Sequence, residues 1–266
     1  MDVLGVGFDR VDLATAVATI LDRLRDGSRT TVVTANPEFV MLARRDAELR
    51  RIASDADLVV PDGTGVLLAS RILGDALPGR APGRFIVDAL AARAAPLGLS
   101  FYLLGAAAGI AERAAERLRE RHPGIRIAGA HAGSPDPSAD DEIVRRIAAV
   151  SPEVLLVAYG MPVQERWISR NIARLPSVRV AIGVGGVLDQ LAGIGVVAPR
   201  PVHAVGLEWL WRLLFEPRRW RRQRVLPLFA LLVLYARIRP PGAQTERRRG
   251  RAPGPERGVP PSEGRS

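Results

Sequence analysis

Five polar or glycine-rich turns follow apolar runs in this 266-residue chain, and they carry the residues on which chemistry could be built. They read Thr34-Ala35-Asn36-Pro37 after TVV, Pro61-Asp62-Gly63-Thr64-Gly65 after DLVV, Gly105 after FYLL, Gly160-Met161-Pro162-Val163-Gln164 after VLLVAY, and Gly183-Val184-Gly185-Gly186 after VRVAI. Asp62 is their one carboxylate. On a strand-to-helix turn it is placed to take a proton from a reacting hydroxyl, or to cap the helix beginning near Gly63. Thr34 and Asn36 can hold ligand hydroxyl or amide groups without adding charge, or form an Asx or ST turn before Pro37. Gln164 opens a helix, where its amide can reach a ligand and free N–H groups favour anions; Glu165 beside it suits the helix dipole. Gly105, Gly185 and Gly186 allow close backbone approach to phosphates, although turns use glycine for positive φ in any case.

The elements that must position these groups alternate. Helical spacing covers Val11 to Arg25, Pro37 to Arg51, Gly65 to Leu73, Ile110 to Arg121, Asp141 to Ala149 and Gln164 to Ala173. Short apolar runs at Thr31 to Thr34, Leu58 to Val60, Phe101 to Leu104, Val154 to Ala158 and Val178 to Ile182 read as buried strands, and Gly133 to Ala139 reads as a loop. This order predicts an α/β fold, a Rossmann-like, mostly parallel sheet with helices on both faces. Ligands of such sheets bind outside the carboxyl ends of the strands, so the turns should converge on one site.

Composition narrows the chemistry. The chain has no cysteine, which excludes disulfides and thiolate metal sites, and no lysine, which excludes Schiff-base and Walker-lysine chemistry. Asp55 and Asp57 form an Asp-x-Asp pair, but they precede the apolar strand and read as a solvated turn; His122, His131 and His203 lack metal-ligand spacing. No metal and no cofactor is expected. The start, Met1-Asp2-Val3-Leu4, lacks a secretory pattern, so a cytoplasmic location is expected.

The net charge of +10 is confined to one end: residues 1–199 carry 23 Arg against 23 Asp plus Glu, and residues 200–266 carry 15 Arg against 5 Glu. Three regions follow: an α/β core at 1–199, a basic amphipathic helical appendage at 200–239, and an Arg/Pro/Gly-rich tail at 240–266 expected to be disordered. In the appendage, arginine is interleaved with tryptophan from Glu208 to Arg224, which suits anionic lipid headgroups. The apolar run Leu226 to Ala236 is too short for a span of about 20 residues and is expected to lie on or dip into a membrane. An arginine-rich nucleic-acid binder is the rival reading; the neutral body, clustered tryptophans and apolar run fit lipid better, so no specific nucleic acid is expected.

Six ordered blocks, TANPEFVMLARRD, ADLVVPDGTGVLLASRILG, FYLLGAAAGIAERAAERL, LLVAYGMPVQERWI, GVGGVLDQLAG and GLEWLWRLLFEPRRWRR, resemble the WecG/TagA/CpsF glycosyltransferase family over residues 1–224. The resemblance implies an inverting, metal-independent transfer of an N-acetylhexosamine-type sugar, N-acetylmannosamine-like, from a UDP-sugar to a polyprenyl-diphosphate-linked acceptor in cell-surface polysaccharide synthesis. It implies Asp62 as the base and Arg80 as a partner of the donor diphosphate, where a solvated arginine is the alternative. Asp189 also matches the pattern, to bind uracil or ribose or to hold its loop. Where the family commonly has Asp after the glycine that follows this arginine, the chain has Gly83-Arg84-Phe85, so the resemblance speaks to reaction class more than to donor. It further implies that the appendage contacts the inner face of the cell membrane and completes the site, with Arg212, Arg219 and Arg222 on the lipid diphosphate. A homo-oligomer whose packing competes with appendage docking is also implied, which makes the active form a membrane-triggered monomer; an idle sugar-nucleotide-binding scaffold is the alternative function.

Overall fold

A computed structural model describes residues 1–199, 202, 208–215 and 220–238. The chain opens with an antiparallel pair, β1 (Asp2–Val3) and β2 (Val6–Gly7), followed by α1 (Leu13–Arg25), β3 (Thr30–Ala35), α2 (Pro37–Ala43), α3 (Ala47–Asp55), β4 (Leu58–Pro61) and α4 (Thr64–Leu73). Next come α5 (Gly83–Ala91), α6 (Ala94–Leu97), β5 (Ser100–Gly105), α7 (Ile110–Arg121) and β6 (Arg126–His131). The body finishes with α8 (Asp140–Val150), β7 (Val154–Ala158), α9 (Val163–Asn171), β8 (Val180–Gly183) and α10 (Val187–Leu191). Six strands pair in the order β4-β3-β8-β7-β5-β6, every pair parallel. The expected α/β body with a parallel sheet and helices on both faces is what the structure shows.

Side-chain alternation along the strands builds two cores. Val32, Leu58, Val60, Phe101, Leu103, Val154, Leu156, Val180 and Ile182 point to one face, where α1, α5, α7 and α10 cover them. On the other face Val33, Ala35 and Val59 pack with α2, α3 and α4, while Tyr102, Leu104, Leu155, Val157 and Ala181 pack with α8 and α9. The strands are buried on both sides, and their carboxyl ends are left as the open edge that presents loops.

Several boundaries differ from the periodicity. The Pro37 to Arg51 stretch is two helices, because Asp46 has extended backbone and its side chain accepts from the Leu49 N–H as a new N-cap. Asp57 is not a solvated turn residue: it accepts from the Thr31 N–H and hydroxyl at 2.9 Å and from Arg23 at 2.6 Å. Strand β6 and helices α5, α6 and α10 were not legible as elements.

Among the described C-terminal residues are the helices Glu208–Phe215, Trp220–Gln223 and Val225–Ile238. The last of these inserts Phe229 and Val233, 5% and 1% exposed, into the cluster of α2 and α4. Its other side leaves Leu228, Leu231, Leu234, Tyr235 and Ile238 exposed. No helix among the described residues is long and apolar enough to cross a membrane. Arg219 and the 240–266 tail lie outside the described residues, and of Arg212 and Arg222 only the helical backbone is described.

Candidate active site

The loops after β3, β4, β7 and β8 meet in one crevice at the carboxyl ends of the sheet, lined among others by Thr34, Asn36, Asp62, Gln164, Gly185 and Gly186. Each is set there by the local fold. Asp62 follows β4 directly, its N–H bonded to the Ala35 carbonyl at 2.9 Å, so the ends of β3 and β4 are tied side by side. The following helix takes Gly63, not Asp62, as its N-cap, without a side-chain capping bond. Asp62 is half-buried on the crevice wall.

The uncharged groups have framework bonds that fix what they can still offer. Thr34, buried, donates its hydroxyl to the Gly183 carbonyl at 3.0 Å; toward a ligand that oxygen is an acceptor. Asn36 caps α2, its Oδ1 accepting from the Phe39 N–H at 2.9 Å, which leaves its NH2 as the ligand-facing chemistry. Gln164 is 2% exposed, and its Oε1 accepts from the N–H groups of Gly160 at 3.2 Å and Gly185 at 2.8 Å. Glu165 stands in the first turn of α9, where an acid suits the helix dipole, and it is buried there, 2% exposed, accepting from Gln164 Nε2 at 2.8 Å. Burial raises its pKa above the usual 4.5, against the hydrogen bond from Gln164.

Three of the sequence-derived candidates, Arg80, Gly105 and Asp189, are not among the residues lining the crevice. Gly105 has φ of +107°, and a Cβ there would sit 2.8 Å from the Ala158 carbonyl carbon, so its glycine answers to the packing of β5 against β7. The Asp189 carbonyl accepts from Ile194 and Gly195 at 2.9 and 2.8 Å and closes the turn after α10, whose continuation brings Val196 and Ala198 to the crevice.

Other lining residues were not assigned a role from sequence. Glu38, in the first turn of α2, and Arg84, in the first turn of α5, bring a second carboxylate and a guanidinium to the walls, and the Arg84 guanidinium lies 5.3 Å from the centre of the Phe85 ring. Arg84 stood in the sequence only as the departure at Gly83-Arg84-Phe85; Glu38 gave no signal beyond a common helix-start acid. Gly83 is close-packed for a reason: its Cβ would lie 3.1 Å from Thr34 Cγ2.

Behind the site, α8 and α9 are locked by an ion pair. Asp140, 6% exposed, accepts a two-pronged contact from Arg170, which also donates to the Pro135 carbonyl at 2.8 Å. Burial would raise the Asp140 pKa, but hydrogen bonds from Arg170, Asn171 and Trp167 together with the Arg170 charge hold it below the usual carboxylate value.

A parallel α/β sheet with a polar crevice at its strand carboxyl ends, holding a half-buried carboxylate among amide, hydroxyl and backbone N–H groups, defines a ligand-binding enzyme body of the open α/β class. Residues 1–242 match the model of the family described as Glycosyl transferase WecG/TagA/CpsF family, and the chain belongs to that family. It is a glycosyltransferase. Similar proteins include an N-acetylglucosaminyldiphosphoundecaprenol N-acetyl-beta-D-mannosaminyltransferase of Bacillus spizizenii, 34% identical over 203 residues, covering 76% of this chain and 78% of that protein. A protein of the same description from Staphylococcus aureus strain MRSA252 is 33% identical over 239 residues, covering 89% of this chain and 93% of its own length.

Proposed function

We propose that this chain transfers an N-acetylmannosamine-like sugar from a UDP-sugar to N-acetylglucosamine carried on a polyprenyl diphosphate, in cell-surface polysaccharide synthesis. The observation that carries the reading is the meeting of Asp62, Thr34, Asn36, Gln164 and the Gly185-Gly186 turn, from four separate strand ends, in one crevice. In the proposed step the acceptor hydroxyl oxygen bonds to the anomeric carbon. The bond from that carbon to the donor phosphate oxygen breaks, UDP leaves with the electron pair, and the hydroxyl proton passes to Asp62. Attack opposite the leaving group inverts the anomeric centre.

Binding follows from the available groups. The Asn36 NH2 and the free N–H of Gln164 donate to sugar oxygens, and Thr34 accepts. The leaving diphosphate is met by backbone N–H groups near Gly185 and Gly186 and by arginine, with Arg80 as its expected partner; no metal is invoked. Gly105 and Asp189 shape the loops around the nucleotide. The lipid diphosphate falls to Arg212, Arg219 and Arg222. The exposed Leu228, Leu231, Leu234, Tyr235 and Ile238 side of the C-terminal helix supports contact with an anionic membrane surface, where the acceptor resides. A homo-oligomer covering that side away from the membrane would be the resting form.

The test is transfer from a panel of UDP-N-acetylhexosamines to N-acetylglucosaminyl-diphosphoundecaprenol, with and without anionic vesicles. Vesicle-dependent transfer of one sugar is expected. Absence of transfer with every donor would overturn the reading.

A further inference from the structure

Gln164 and Glu165 form a buried pair whose geometry goes beyond a ligand-binding glutamine. The Gln164 amide oxygen takes two backbone N–H groups, from Gly160 after β7 and Gly185 after β8, so it links those two loops in the crevice wall. The amide nitrogen donates one hydrogen to Glu165 Oε1 at 2.8 Å, and its second hydrogen has no acceptor among the described residues. Rotating the amide by half a turn would set NH2 against two N–H donors and its oxygen against a carboxyl oxygen, so the surroundings allow one orientation. The sheet leaves room for it: a Cβ on Gly183 would lie 2.7 Å from Gln164 Nε2.

Glu165 itself is costly where it stands. Its Oε2 is buried without a hydrogen-bond partner among the described residues, in a position that an aliphatic side chain of similar size would fill without that penalty. A buried polar group that does not serve stability needs another role. We propose that Glu165 is a positioning residue for glycosyl transfer, holding the Gln164 amide so that it ties the β7 and β8 loops together and turns its second N–H to the substrate. This rests on the reading of the crevice as the donor and acceptor site. Glu165→Gln keeps the shape and the accepting oxygen, whereas Glu165→Leu keeps only the shape.

The test reads the amide directly. The chain has four glutamines, so labelling the full-length protein with 15N-glutamine gives few side-chain amide signals, and Gln164→Ala identifies the pair belonging to Gln164. In the wild type one Gln164 amide hydrogen is expected to exchange slowly with solvent. Glu165→Leu should release it, and Glu165→Gln should retain it. In transfer from UDP-N-acetylmannosamine to N-acetylglucosaminyl-diphosphoundecaprenol, Glu165→Leu should lower kcat/KM about tenfold, the scale of one hydrogen bond, and Glu165→Gln should recover most of that loss. In a Gln164→Ala background, Glu165→Leu should bring no further loss, which a purely structural role would not reproduce. Exchange of both Gln164 hydrogens at the rate of a free glutamine in the wild type overturns the proposal even if Glu165→Leu fails to fold. So do equal losses from Glu165→Leu in both backgrounds. If no variant and no wild type transfers sugar, the functional reading fails while amide exchange still decides whether Glu165 holds Gln164.

Discussion

Truncation of Phe229 to alanine tests whether the C-terminal helix belongs to the folded body in solution. Phe229 and Val233 are the residues that Val225–Ile238 buries among α2 and α4, and burying each is worth about 1.5–3 kcal/mol, so docking gains roughly 3–6 kcal/mol before the cost of ordering the helix. Phe229→Ala removes about 3 kcal/mol or more of this. A helix of 14 residues is marginal alone, so once undocked it should lose its hydrogen-bond protection. Hydrogen exchange followed by mass spectrometry over 225–238 should then quicken roughly a hundredfold, since each 1.4 kcal/mol is a factor of ten. Leu231→Ala is the control. At 64% exposed, Leu231 contributes nothing to docking, and exchange should stay within a few-fold of wild type without membrane. Equal behaviour of the two variants would refute the docked helix and the burial argument with it.

Asp140→Asn leaves Arg170 with half of its partner, and unfolding free energy should fall by about 2–4 kcal/mol in urea titrations; a loss under 0.5 would mean the pair contributes little. Gly105→Ala meets both a positive φ and the Ala158 backbone, so it should cost about 2–5 kcal/mol of stability, whereas a glycine serving only phosphate approach would leave urea stability unchanged. The raised pKa of Glu165 gives a pH dependence with a definite sign. Above the ordinary 4.5 the unfolded chain releases this proton while the folded chain keeps it, so its contribution to stability falls as pH rises, levelling once the folded group ionises. Glu165→Gln should remove that part of the decline in a series of denaturation curves across pH.

Much of the fold was legible because buried parallel strands are short apolar runs. TVV, FYLL and VLLVA announce β3, β5 and β7 without help from context. Strand β6 hid because it is an edge strand of half-buried residues, and its Gly129 is required by the Tyr102 ring, which a Cβ there would meet at 2.5 Å. Helix α5 hid behind the Pro and Gly residues of 78–83, and α10 is a single five-residue turn of helix. Strand order was not legible at all, since periodicity states which face a residue takes and not which strand lies beside it.

The site divides in the same way. Asp62, Thr34, Asn36 and Gln164 were legible because each sits within three positions of a strand end or opens the next helix, where topology delivers them to one edge. Arg84 was not, because α5 was itself not legible as an element, and Glu38 was not, because an acid in the first turn of a helix carries no signal beyond the helix start. The buried state of Glu165 was also hidden. An acid at a helix start reads as a surface residue until α9 is seen packed between α3 and the sheet.

The proposed mechanism turns on Asp62 taking the acceptor proton. Its most direct test is the transfer rate of Asp62→Asn, with UDP-N-acetylmannosamine, N-acetylglucosaminyl-diphosphoundecaprenol and anionic vesicles, on protein whose melting curve matches the wild type. A fall in kcat of about 10²- to 10⁴-fold with little change in donor binding is expected. A variant that transfers within a few-fold of wild type would contradict it.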